Sequence, residues 1–359
     1  MTLTTGTKRK FTTTAIVALI MALCGSIYPF MIVEGGYTQG MPAWHAHFNG
    51  ALIGLLLGIG ISFGEFYVFQ TSLRRLRFSL LILVQTFYYL FIIHVLIMVV
   101  MTLHFMVFHG DSFTEAFQLV NDPNVGISAR GFVNINVYAL AVILFMTFIR
   151  QVNRTLGQNA LFFFLTGKYH SPVEENRVFM FLDLKDSTAI AEKLGHKRYH
   201  LFMNDFVYDI TPSIVESRGE IYQYVGDEVV VTWPKDRGLR DAECINCYFR
   251  IGAALALVAD KYEKKYGIVP TFKVGYHYGA VCAGLIGDIK REIVFHGDTV
   301  NTAARIRSEC AAVKRDLLLS GQLLDKLSIS SYLTTENMGK IKLRGKKEEI
   351  ELYSIKEAA

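Results

Sequence analysis

Two aspartates stand where an apolar run gives way to a turn: Asp183 in Phe181-Leu-Asp-Leu-Lys-Asp-Ser-Thr188 and Asp227 in Tyr224-Val-Gly-Asp-Glu228. Carboxylates at neighbouring strand ends make a hard oxygen site suited to Mg²⁺ or Mn²⁺. The turn 184–188 then opens a helix, whose free N–H groups can hold phosphate oxygens. Two metal ions at such a site would activate an attacking hydroxyl and neutralise a departing pyrophosphate. On residues alone this is metal-dependent phosphate chemistry. Helix capping is the competing explanation for an Asp followed by Ser or Thr, and it applies to Asp183 and Asp186 alike.

The elements that must position these carboxylates follow from patterning. Residues 177–184 read as a buried strand, 188–217 as a helix, and 220–224 with 229–233 as a hairpin around Gly226-Asp227. A second long helix is expected over 241–266, strands over 272–278 and 280–286, a helix over 298–311, and a closing hairpin over 340–353. Strands mixed with crossing helices predict an α+β domain with a mostly antiparallel sheet. Cys244 and Cys247 have Cys-x-x-Cys spacing, but they fall inside the second helix with no second pair and read as buried helix positions. The five cysteines do not form a disulfide framework, which points to a reduced compartment.

The front half of the 359-residue chain is of another kind. The apolar fraction of 52% is concentrated before about residue 155, in four segments long enough for a bilayer: 11–33, 48–69, 80–108 and 133–149. The first follows Lys8-Arg-Lys10 but lacks a small-residue cleavage pattern, so it reads as a retained helix. Basic residues at 8–10, at 74, 75 and 77, and at 150 and 154 all fall on one side of a four-helix arrangement. Both termini are therefore expected in the cytoplasm, with the chain multi-pass in an inner or plasma membrane. A net charge of +5 clustered beside apolar spans suits a lipid surface better than a nucleic-acid groove, and no nucleic-acid partner is expected. Ionisable groups at membrane depth are costly and therefore informative. His45, His47, His104 and His109 are expected near one another at the outer face, where neutral imidazoles could bind a transition metal or haem, or sense protons; interfacial hydrogen bonding is the plainer reading. Glu65 is expected to pair with Arg74 or Arg75. A short amphipathic helix that stops at Gly167, ahead of Pro172, links the halves. The organisation expected is thus a four-helix transmembrane domain (1–150), an amphipathic linker or transducer (151–173) and a catalytic domain (174–359).

Four motifs in order complete the reading: Phe181-Leu-Asp-Leu-Lys-Asp-Ser-Thr188, Tyr224-Val-Gly-Asp227, Gly297-Asp-Thr-Val-Asn-Thr-Ala-Ala-Arg305 and Leu343-Arg-Gly-Lys346. Together they resemble the signature of class III nucleotidyl cyclases, over roughly residues 174–355. The resemblance implies a head-to-tail homodimer with active sites at the interface. Asp183, Asp227 and the Leu184 carbonyl would hold two Mg²⁺ or Mn²⁺ ions on one subunit. From the other, Asn301 would orient the ribose, Arg305 would stabilise charge on the reacting phosphate, and Lys346 would hold the terminal phosphates. The product would be a cyclic monophosphate plus pyrophosphate. Asn301 and Arg305 are spaced i, i+4, which puts both on one helical face.

The base-reading positions depart from the family pattern. A Lys expected four residues before the second metal Asp is Gln223, and an Asp or Thr expected three residues before Gly297 is Val294. Gln223 can both donate and accept toward adenine; Val294 cannot. The Glu usual for guanine is also absent, so ATP is preferred and GTP is the alternative. A catalytically silent receptor or scaffold with this fold is opposed by the retained Asp183, Asp227, Asn301, Arg305 and Lys346. A diguanylate cyclase would need a Gly-Gly-Asp/Glu-Glu-Phe hairpin, which Val225-Gly-Asp-Glu-Val229 does not provide.

Overall fold

The computed structural model describes residues 5–33, 43–69, 73, 76–122, 129–157, 160–344 and 348–358. The chain divides into two compact units, Met1–Val152 and Asn153–Ala359.

In the first unit, helices α1 (Thr5–Val33), α2 (Ala43–Gly64), α3 (Phe78–His109) and α5 (Ala129–Leu156) carry four stretches long and apolar enough to cross a membrane: Lys10–Pro29, Trp44–Phe69, Ser79–His109 and Arg130–Asn153. A short helix that the apolar pattern does not announce, α4 (Phe113–Asn121), lies between α3 and α5. It starts at a capping box in which Ser112 and Glu115 satisfy each other's backbone N–H. Helices α1 and α2 meet backbone to backbone. A Cβ added at Gly50 would lie 2.2 Å from the Gly25 carbonyl oxygen, and one at Gly54 would lie 2.0 Å from that of Met21. Small residues four apart on one face permit this approach where apolar burial cannot drive association. α2 ends in a five-residue π-helical turn, Glu65–Phe69.

Glu65 is buried there, with Gln85 and Arg150 among its partners. Its Oε2 accepts from Gln85 at 3.2 Å and lies 3.7 Å from Arg150. Arg74 and Arg75 lie outside the described residues. Lys10, near the start of α1, sits 4.9 Å from the Tyr67 ring centroid. The beginning of α1, the end of α2 and the end of α5 therefore share one end of this unit.

The second unit opens with α6 (Ala160–Thr166) and then builds an eight-stranded sheet in the order β2-β3-β1-β4-β6-β8-β7, with β5 paired to β4. The strands are β1 (Val173–Leu184), β2 (Glu220–Val225), β3 (Glu228–Pro234), β4 (Phe272–Ile286), β5 (Glu292–His296), β6 (Leu317–Ser320), β7 (Leu333–Ile341) and β8 (Ile350–Glu357). Only β4 and β6 run parallel; every other described pairing is antiparallel. The α+β, mostly antiparallel expectation holds. Side chains alternate across a strand, and β1 is buried on both faces from Arg177 onward. Val178, Met180, Leu182 and Leu184 join the core beneath α7 (Ser187–Glu216) and α9 (Glu243–Leu257). Phe179 and Phe181 join Val281 and Ala303 beneath α11 (Asp298–Glu309). Two single-turn helices, α8 (Lys235–Gly238) and α12 (Gly321–Leu324), serve as connectors.

Two elements differ from expectation. The expected helix over 241–266 is α9 followed by α10 (Ala259–Tyr266), bent by 56°. The bend carries Tyr262 and Tyr266 to donate to Asp209 and Asp205 of α7, each at 2.7 Å. The two strands expected on either side of Gly279 are one continuous strand, β4. Gly279 makes room there rather than a turn: an added Cβ would lie 2.5 Å from the Thr299 hydroxyl.

Candidate active site

Asp183 occupies the α11 side of β1, two residues beyond Phe181 on the same face. Its cross-strand neighbours are Glu228 on β3 and Lys273 on β4. Glu228, Asp183 and Lys273 thus form a row across three strands. Lys273 Nζ lies 3.2 Å from Asp183 Oδ2. Arg307 of α11 completes the cluster: one terminal nitrogen donates to the same Oδ2 at 3.2 Å, and the other pairs with Glu228 Oε2.

The backbone explains why Arg307 reaches this spot. Gly275 lies two residues along β4 from Lys273, and a Cβ there would fall 2.2 Å from the Arg307 backbone nitrogen. The helix therefore rests directly on the strand at this point. Burial pushes the carboxyls of Asp183 and Glu228 above their usual range, while the Arg307 charge pulls both back down. The net direction is upward for each.

Asp227 occupies the tight β2–β3 turn, half-buried, next to Gly226 at φ +64°. Glycine adopts that left-handed conformation without a Cβ penalty. The charge of Asp227 raises the Asp183 carboxyl, so the two expected metal ligands act on one another. Tyr199 of α7 feels both, its hydroxyl pushed up first by burial and then by Asp227 and Asp183. Leu184 is the last residue of β1, paired with Phe272. Asp186 takes φ +53° ahead of α7 and makes no side-chain cap bond, so helix capping is not its role.

Asn301 and Arg305 sit one turn apart on α11, away from its buried stripe of Thr299, Thr302, Ala303 and Ile306. Asn301 is exposed and Arg305 half-buried. Among the described residues neither is bonded to Asp183 or Asp227. Lys346 lies outside the described residues.

Comparison with known proteins decides the family. The model for the adenylate and guanylate cyclase catalytic domain matches residues 170–357. The chain belongs to this family. It is a nucleotidyl cyclase of class III, a phosphorus–oxygen lyase. Adenylate cyclase 2 of Rhizobium meliloti (strain 1021) is 30% identical over 355 residues, covering 96% of this chain and 91% of that protein. The adenylate cyclase of Anabaena cylindrica is 25% identical over 187 residues, 49% of this chain and 36% of that protein. A bacterial light-regulated adenylyl cyclase superposes with a TM-score of 0.55 at 19% identity, over 65% of this chain and 68% of that one. That likeness concerns the fold.

The two positions expected to read the base lie on β2 and β5, strands that do not pair with each other but meet through side chains. Gln223 lies exposed on β2, and Val294 lies half-buried on β5 opposite Gly284. The strands are tied one residue away from each. Tyr222 and Phe295 pack edge-to-face with ring centroids 5.0 Å apart, and the Phe295 N–H donates to the Tyr222 hydroxyl at 3.3 Å. Arg177 supports this corner from beneath, 2% exposed and 4.7 Å from the Phe295 ring centroid. It pairs with Glu175 at 3.0 Å and with Glu220, and donates to Thr232 at 3.0 Å.

Sequence reasoning missed Lys273, Glu228, Arg307 and Arg177. A lysine within an otherwise apolar strand and a second arginine two residues after Arg305 were the available signals.

At the other end of the chain, His45 and His104 face each other, ring centroids 4.9 Å apart, with His109 6.0 Å from His104. Trp44 and Phe108 close around them. Nδ1 of His45 and both ring nitrogens of His104 are buried without a hydrogen-bond partner. His47 turns elsewhere, its Nδ1 2.8 Å from the Ser26 carbonyl oxygen. The four histidines expected together are thus three and one. Among the described residues, no group of three or more His, Cys, Asp or Glu side chains is arranged to hold a metal ion.

Proposed function

We propose that the chain is a membrane-anchored adenylate cyclase, converting ATP to cyclic AMP and pyrophosphate at sites shared between two identical protomers. The observation that carries this is the division of the machinery within one chain. The carboxylates Asp183 and Asp227 stand at the end of β1 and in the adjoining β2–β3 turn, while Asn301 and Arg305 project from the outer side of α11 without meeting them. A second copy supplies what each site lacks. Exposed Tyr224, Val225, Ile286 and Ile289 give that copy an apolar surface to cover.

The donor set fits a hard divalent cation, since it consists of two carboxylates and the Leu184 main-chain oxygen. When bound, Mg²⁺ or Mn²⁺ would lower the pKa of the ribose 3′-hydroxyl and neutralise the leaving pyrophosphate. The chain's own residues do the positioning. Asn301 orients the ribose of the nucleotide. Arg305 lies where negative charge grows on the reacting phosphate and, being held in place beforehand, costs no reorganisation. Lys346 is assigned the terminal phosphates. Gln223 offers a donor and an acceptor to the adenine edge, and Val294 packs beside it. The relative that aligns along 96% of the chain is named an adenylate cyclase, which supports ATP over GTP.

The first unit is read as the anchor and a candidate sensor. Lys10, Glu65 and Arg150 gather at one end, which the basic residues assign to the cytoplasm. His45, His104 and His109 gather at the other and are the candidate input site, for a transition metal, haem or proton. Residues 151–173 are read as the transducing link.

The test is turnover by purified full-length protein offered ATP and GTP, each with Mg²⁺ and with Mn²⁺. Cyclic AMP from ATP is expected. Cyclic GMP alone would overturn the base assignment, and no turnover of either would favour a silent scaffold. Mixing Asp183→Ala with Arg305→Ala protomers should restore one intact site per heterodimer. Absence of any recovery would count against a shared site.

A further inference from the structure

We propose that Arg307 is a built-in stand-in for the divalent cation: its guanidinium holds Asp183 until metal arrives, then withdraws onto Glu228, so that Arg307 sets how tightly the cyclase binds metal. The proposal rests on the reading of Asp183 as a metal ligand.

Three observations support it. Asp183 and Glu228 are adjacent across β1 and β3, and their side chains are each only 11% exposed. Two such carboxylates repel unless a cation lies between them. Arg307 bridges them, one terminal nitrogen to each. Lys273 already neutralises the far side of Asp183 Oδ2. That oxygen is therefore shared by two cations before any metal binds, and a divalent ion that takes Oδ2 competes with both.

Arg307 is the one placed to leave. Lys273 is the direct cross-strand neighbour of Asp183 and is held by strand register. Arg307 reaches in from α11, and its Nε is buried without a partner. A guanidinium has five donors in a fixed fork, and here one of them is stranded. Glu228 keeps hold of the other terminal nitrogen, so withdrawal needs rotation of a side chain, not movement of a helix. Arg307 touches neither Asn301 nor Arg305 among the described contacts, and it acts through Asp183. It is a positioning residue.

The experiment measures Mn²⁺ added alone to the full-length protein, reading free Mn²⁺ by electron paramagnetic resonance. Arg307→Gln removes the competing charge and should tighten Mn²⁺ binding on the order of tenfold, the scale of one partly screened charge pair. Arg307→Lys keeps the charge and should stay near wild type. Glu228→Gln removes the parking place, leaving the guanidinium to Asp183 alone, and should weaken Mn²⁺ binding. The half-saturating Mg²⁺ for turnover should follow the same order, while KM for the nucleotide at saturating metal stays unchanged. Unchanged or weaker Mn²⁺ binding in Arg307→Gln would overturn the proposal. If that variant does not fold, the Glu228→Gln arm decides, and tighter binding there has the same force. Asp183→Asn tests the underlying assignment separately: if it still binds Mn²⁺ like wild type, the metal reading fails, whatever Arg307 does.

Discussion

On the proposed reading, single residues divide into those that serve the reaction directly and those that hold the fold around them. Asp183→Ala or Asp227→Ala should abolish cyclisation while leaving the dimer intact, as checked by cyclic-nucleotide assay beside size-exclusion chromatography; full activity in either variant would overturn the two-metal assignment. Arg177 holds without reacting. Removing it takes the buried cation from Glu175 and Glu220, which are themselves mostly buried and keep only the more exposed Lys168 and Arg237 as cationic partners. Arg177→Ala should therefore lower unfolding stability by roughly 2–3 kcal/mol, below the full figure for a buried pair because both partners keep some solvent. An unchanged denaturation midpoint would contradict this. Cys244 and Cys247 settle as core positions. Both are fully buried, and burial pushes the Cys247 thiol up to about 12. The thiolate is the reactive form, so neither should react with a disulfide reagent near neutral pH until the domain unfolds. Rapid modification of the folded protein would argue for an accessible redox pair. Asp183, Asp227 and the Asn301–Arg305 spacing were legible because their motifs are contiguous. The row Glu228–Asp183–Lys273 was not, because it exists only once strand register is set.

At the level of elements, glycine was the most misleading residue in the sequence. Gly279 reads as a strand break, yet β4 runs straight through it because a helix-start threonine needs the space. Gly275 serves the same end opposite Arg307. Gly275→Ala should push α11 off the strand, with a penalty of about 1–3 kcal/mol for overpacking and a disproportionate loss of turnover. Wild-type activity with wild-type stability would refute the close approach. The break between α9 and α10 was hidden for the opposite reason. Apolar periodicity continues across residue 258, and the bend is set by tyrosine bonds to α7 that no local pattern encodes. In the first unit, the α2 glycines offer a parallel test. Gly54→Leu would drive a side chain into the Met21 carbonyl and should destabilise the α1–α2 pair by a similar margin, about 1–3 kcal/mol, read as a lower melting temperature in detergent.

For the molecule as a whole, the proposal ties catalysis to assembly. His104→Ala in the full-length protein should alter regulation by the membrane-side input while leaving maximal turnover intact. Identical regulation in a His45/His104 double variant would return these imidazoles to a packing role. Helix α11 limits how regulation can act. Near its start, Thr299 donates to the Ala280 carbonyl oxygen at 2.7 Å; near its end, the Arg307 backbone lies on Gly275. The helix is riveted to β4 at two points, so Asn301 and Arg305 cannot slide relative to their own sheet. On the proposed shared site, a control signal would then act through the pose of one protomer against the other. Displacement of about 1 Å at reacting groups can cost roughly a hundredfold in rate. On that reading each catalytic domain would behave as a rigid jaw, and turnover would gauge how far the two jaws have closed.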